Sequence, residues 1–162
     1  GYVTIDQALI RPNIAHRRPG LHVDGIGPEG YQFGQWGGGW SGRSSFLMAA
    51  SHAGCLAWDM DFKQEDMVPD GDCEHLRHFC CTIHGIELQP GRIYEVGRLT
   101  PHETFSLPFR VLRQFIRLSS PSNAPTHKGL TRNSLGVQHT GVTLPARPEC
   151  FRSWGDQHAL IN

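Results

Sequence analysis

No hydrophobic rhythm in this chain runs far before a glycine or proline breaks it, and that punctuation constrains the fold more than any other feature. Nineteen glycines and eleven prolines are spread over 162 residues, with neither a collagen period nor a low-complexity repeat. The stretches between them are short and suited to strands. Tyr2-Val3-Thr4-Ile5 reads as one strand, and Ala8-Leu9-Ile10 as a second piece that ends near Pro12. Ser45 to Ala50 and Gly54 to Trp58 read as two buried strands around Ser51-His52-Ala53. Residues 86–96 read as strand, Pro90-Gly91 turn, strand. From Val111 to Leu118 the residues alternate: Val111, Arg113, Phe115 and Arg117 share one face, and Leu112, Gln114, Ile116 and Leu118 the other. One short helix is expected from Cys73 to about Cys80, with Asp72 at its N-cap. Between Asp59 and Asp72 the chain is acidic and turn-rich, an exposed insertion. The expected class is mainly β, in a chain long enough to enclose a core.

Within this framework His22-Val23-Asp24 stands out. Side chains alternate along an extended strand, so His22 and Asp24 project from one face while Val23 points the other way. A third ligand from a distant strand would complete a two-histidine, one-carboxylate triad, which leaves coordination positions open and suits non-haem Fe(II). His102 is the candidate, in Leu99-Thr100-Pro101-His102. Arg113 follows with ten residues between. It sits among apolar neighbours, where an unpaired guanidinium is costly. Either a bound dicarboxylate or a structural salt bridge, to Glu95 or Glu103, would satisfy it. Arg110 and Arg117 are the alternates for the same role.

His22, Asp24, His102 and Arg113, in that order, resemble the signature of the Fe(II)/2-oxoglutarate-dependent dioxygenases: H-x-D, a distal His, then an Arg or Lys about ten residues on. The likeness covers roughly residues 20 to 118. It implies a double-stranded β-helix, a jelly-roll or cupin-like barrel, over residues 1–118. It also implies Fe(II) held by His22, Asp24 and His102, 2-oxoglutarate anchored on Arg113, and hydroxylation as the outcome. Small molecules, protein side chains and nucleobases all remain open as substrates. A cupin-type metalloenzyme with the same ligands and no 2-oxoglutarate is one alternative. A non-catalytic jelly-roll subunit of an assembly, such as a virus-like particle, is another.

The remaining features bound these expectations. Fifteen Lys and Arg balance fifteen Asp and Glu, so nucleic acid is not favoured as a partner. No apolar run approaches the ~20 residues that span a bilayer, and no signal peptide is visible. Five irregularly spaced cysteines fit a reducing, cytoplasmic compartment better than a disulfide framework. The first residue, Gly1, leaves the native start open. Cys73, His75, His78, Cys80, Cys81 and His84 are dense but lack the paired spacing of a zinc site. Residues 25–43 are glycine-rich without a phosphate-binding motif. Directly after two ligands they are placed as a lid, with Tyr31, Trp36 and Trp40, together with Arg18, as substrate-pocket candidates. Arg17 and Arg18 read either as anion-facing at the barrel mouth or as solvated arginines on a turn. Residues 119–162 form a polar extension opening on Ser119 to Thr126, in which Val142-Thr143-Leu144 and Cys150 to Trp154 would add edge strands or dock. They also offer an arm for a homo-oligomer.

Overall fold

The structure is a computed structural model, and it describes residues 2–24, 45–68 and 71–119. The expectations for Tyr31, Trp36, Trp40 and the extension beyond Ser119 fall outside the described residues. Among the described residues there are seven strands: β1 (Tyr2–Ile10), β2 (Phe46–Ala50), β3 (Cys55–Ala57), β4 (Ile86–Glu87), β5 (Tyr94–Val96), β6 (His102–Thr104) and β7 (Val111–Ser119). They form two sheets, one in the order β1-β7-β2-β5 and the other in the order β4-β3-β6. All the ladders are antiparallel.

The pairing is nested. β1 pairs with β7 over nine residues, from Tyr2 opposite Ser119 to Ile10 opposite Val111. Inside that pair, His22 meets His102: each backbone N–H donates to the other's carbonyl, at 3.0 and 2.9 Å. Next come β2 with β5, and innermost β3 with β4. Ladders between β2 and β7 and between β3 and β6 fold this ribbon into two sheets. Each sheet therefore takes strands from both arms of the ribbon.

Alternation gives each strand an inner and an outer face. Phe46, Met48, Cys55, Ala57, Leu88, Val96 and Phe115 form one buried cluster. Leu21, Val23, Trp58, Phe62, Cys73, Cys80 and Leu99 form a second. On β7 the burial follows the expected faces, with Arg113, Phe115 and Arg117 inside and Leu112, Ile116 and Leu118 outside. The outer face of the larger sheet is apolar in register: Val3 lies opposite Leu118 and Leu118 opposite Leu47, while Ile5 lies opposite Ile116. All five side chains are exposed.

Several local expectations are revised. Tyr2–Ile5 and Ala8–Ile10 belong to one strand, because Gln7 stays in the ladder opposite Gln114. The segments on either side of Pro90-Gly91 are strands, as expected, and they go to different sheets. β4 joins β3 in the smaller sheet and β5 joins β2 in the larger, so the turn carries the chain between sheets. The expected helix is a 3₁₀ turn, Glu74–Phe79, flanked by two shorter ones at Gln64–Asp66 and Thr82–His84. Asp72 does serve its start: Oδ1 accepts the N–H of Glu74 at 2.8 Å. Nor is the acidic insertion wholly exposed, since Phe62 packs into the core beside Trp58.

Candidate metal centre

His22 and Asp24 lie on a segment that makes only isolated bridges, to Thr104, Asp72 and His102. Its backbone is nonetheless fixed. Val23 N–H donates to Gly71 O (2.9 Å), and Leu21 O accepts from Cys73 N–H (2.9 Å). Leu21 and Val23 are fully buried in the cluster behind the segment, which turns His22 and Asp24 the opposite way, as alternation requires. β6 brings in His102, directly opposite His22. The imidazole rings are 4.5 Å apart between centroids, and the Phe46 ring closes the site against His102 at 5.9 Å. One ligand atom from each of His22, Asp24 and His102 falls within 4.8 Å of the others. The three residues proposed as ligands are thus brought together.

Both tautomers can be assigned. His22 Nδ1 lies 2.7 Å from Gly20 O, and His102 Nδ1 lies 3.0 Å from Thr100 O. A carbonyl only accepts, so each Nδ1 carries the proton. On each ring Nδ1 is committed and Nε2 is left as the nitrogen for a metal, the arrangement that metal-binding histidines adopt when the other nitrogen is tied down. Each carbonyl comes from the residue two positions upstream, the same device on both segments. His102 Nε2 is 3.8 Å from Asp24 Oδ2.

Electrostatics favours the ligating forms. Burial, reinforced by neighbouring His102, pushes the His22 imidazole down to about 3, so it is neutral at neutral pH. Burial pushes the Asp24 carboxyl upward. Arg117, with His102 and His22, outweighs that and holds it well below the usual carboxylate range. Arg117 Nη1 donates to Asp24 Oδ2. Its guanidinium also stands 5.7 Å from the centre of the Phe46 ring. Arg117 Nε is buried with no hydrogen-bond partner among the described residues. The spacing of the motif gave no hint of this pairing, because it counts toward Arg113.

Arg113 is 2% exposed. Its Nε donates to the carbonyls of His52 (3.2 Å) and Ala53 (3.0 Å), Nη1 to His16 Nδ1 (3.0 Å), and Nη2 points at Cys55 Sγ (3.7 Å). Gly54, at φ +124°, lets the backbone pass the guanidinium; a Cβ there would stand 3.5 Å from Arg113 Nε. The alternative partner for Arg113, a salt bridge to Glu95 or Glu103, is not formed. Glu95 accepts from Ser45 Oγ, and Glu103 is held by Arg77. Among the described residues no carboxylate is bonded to Arg113. Arg17 pairs with Asp6 at 2.7 Å and lies over the Phe115 ring. Arg18 Nη2 is 3.7 Å from Asp72 Oδ2. A separate cleft of about 460 Å³ is lined by Trp58, Asp59, Asp61, Tyr94, Glu95 and Thr100 among others. None of the three candidate ligands lines it.

Compared with protein-family models, with curated proteins and with solved structures, the chain matches none.

Proposed function

We propose that this chain is an Fe(II)- and 2-oxoglutarate-dependent oxygenase, built on a jelly-roll core and hydroxylating a small molecule or a protein side chain. The fold half of this reading rests on the nested pairing. Among the described residues the first strand pairs with the last and the strands divide between two sheets, a pattern that supports a double-stranded β-helix. The observation that carries the functional half is the tautomer lock. Two imidazoles with Nδ1–H tied to backbone carbonyls leave both Nε2 atoms for a metal shared with one carboxylate.

Two nitrogens and one oxygen gathered in a largely buried set fit Fe(II). A dicarboxylate fits Arg113, a buried guanidinium with N–H donors to spare and no carboxylate partner among the described residues. When bound, iron and 2-oxoglutarate supply the oxidising power to place one atom of dioxygen in a C–H bond, leaving succinate and carbon dioxide. The chain supplies the rest. His22, His102 and Asp24 bind; Arg117 fixes the Asp24 carboxylate; Arg113 orients the far carboxylate of the cosubstrate. Phe46 and the cluster behind it keep water from one side of the site.

Purified protein with Fe(II), ascorbate and 2-oxoglutarate in air should form succinate slowly even without substrate, and His102→Ala should abolish this. Succinate formation equal in the two proteins would count against the reading.

A second reading, a non-catalytic assembly subunit, draws on the apolar outer face at Val3, Ile5, Leu47, Ile116 and Leu118. Exposed apolar surface of this kind marks association. Oligomerisation through that face without succinate formation would favour it.

A further inference from the structure

The two histidine-bearing segments meet at backbone bridges between His22 and His102 and between Pro19 and Thr104, at Thr104 Oγ1, which donates to the carbonyls of Arg17 and Arg18, and at a further side-chain link. Glu74 Oε1 accepts the N–H of Leu21 at 2.8 Å. Leu21 is fully buried and directly precedes His22, so this side chain gives a buried N–H its acceptor. Arg77 grips Glu74 in a fork, Nε to Oε2 at 2.5 Å and Nη2 to Oε1 at 2.7 Å. The same guanidinium reaches Glu103, Nη2 to Oε2 at 2.7 Å and Nη1 to Oε1 at 3.3 Å. Glu103 directly follows His102 on β6 and points to the opposite face. Gly20 makes room for the clamp: its φ is +83°, and a Cβ there would stand 3.1 Å from Glu74 Oε1.

We infer that Arg77 is a positioning residue, which sets the separation of His22 and His102 by bridging Glu74 and Glu103, and that metal affinity depends on it. The inference rests on the metal centre proposed above. The segment carrying His22 and Asp24 lacks a ladder of its own, so individual contacts decide where it lies, and the bond from Leu21 to Glu74 is the one that ties its position to Arg77. A guanidinium is the group able to hold two carboxylates with paired, planar hydrogen bonds, whereas an ammonium offers a single point of charge. Partners that orient metal ligands from behind typically change affinity about 10–100-fold when removed.

The test uses Arg77→Ala, Arg77→Lys and Glu103→Gln, the last an isosteric change that guards against a folding defect. Deuterium uptake at residues 21–23 in metal-free protein reads the clamp without reference to any metal. Co(II) titration reads affinity, and the visible Co(II) bands read ligand geometry. Arg77→Ala should speed exchange at residues 21–23 but leave the β1–β7 ladder unchanged. It should also weaken Co(II) about tenfold and alter the Co(II) bands. Arg77→Lys and Glu103→Gln should fall between it and the parent. Unchanged exchange at residues 21–23 in Arg77→Ala would overturn the clamp. Unchanged Co(II) affinity and bands, with faster exchange, would reduce Arg77 to a staple of the fold. A parent protein that binds no Co(II) while Arg77→Ala still exposes residues 21–23 would overturn the metal centre, and the positioning role with it.

Discussion

Arg117→Met should lose about 3–5 kcal/mol of stability in metal-free buffer, the range for stranding one partner of a buried ion pair. Asp24 is the partner left behind, its side chain 16% exposed. In the parent the depressed Asp24 carboxyl contributes stability above its unfolded value of 3.8, and that contribution is lost as the pH falls through the lower folded value. In the variant only His102, His22 and Arg17 oppose burial, so the folded value rises and Asp24 contributes less stability above pH 3.8. The deficit should therefore be widest at neutral pH and narrow toward pH 4. Urea denaturation at both pH values measures it. Co(II) gives Asp24 another counter-charge, so its addition should restore a large part of the loss. A variant as stable as the parent without metal would show that Asp24 does not depend on Arg117.

Arg113→Met should leave metal binding within a few-fold of the parent, because its contacts are with His16, His52, Ala53 and Cys55 rather than with the ligands. Two effects are expected. The carbonyls of His52 and Ala53 lose their donor, at a cost of about 1–3 kcal/mol for a buried acceptor left unpaired. Affinity for 2-oxoglutarate should fall about a hundredfold, the equivalent of one charged, forked hydrogen bond pair. Isothermal titration of 2-oxoglutarate into Co(II)-loaded protein separates the two, and glutarate as a competitor checks that the far carboxylate is being read. Equal affinity in parent and variant would move the anchor elsewhere. Arg117, whose Nε lacks a partner among the described residues, is the first place to look.

The legible parts of this protein are those that alternation encodes. Val23 buried and His22 and Asp24 turned the other way follow from strand geometry alone, as does the inward face of Arg113, Phe115 and Arg117. Strand pairing was less legible. Pro90-Gly91 carries the signals of a hairpin, yet the strands it joins go to different sheets, because partner choice depends on side chains packed far away in sequence. The supports of the site were not legible at all. Gly20 and Thr100 act through backbone carbonyls, which any residue provides. Glu74 and Arg77 lie more than fifty residues from the ligand they brace, in a segment whose cysteines and histidines suggest a different chemistry. The alternative of a salt bridge to Arg113 is absent for a related reason: Ser45 and Arg77 hold the carboxylates of Glu95 and Glu103.

Anaerobic titration of the protein with Fe(II), then 2-oxoglutarate, followed in the visible, tests the three-ligand centre most directly. A weak charge-transfer band should develop with one equivalent of each in the parent protein. It should be missing in His102→Ala, and in Arg113→Ala at the same cosubstrate concentration. No band in the parent, with no iron retained, would contradict the metal centre and leave His22, Asp24 and His102 as a buried polar cluster of the fold.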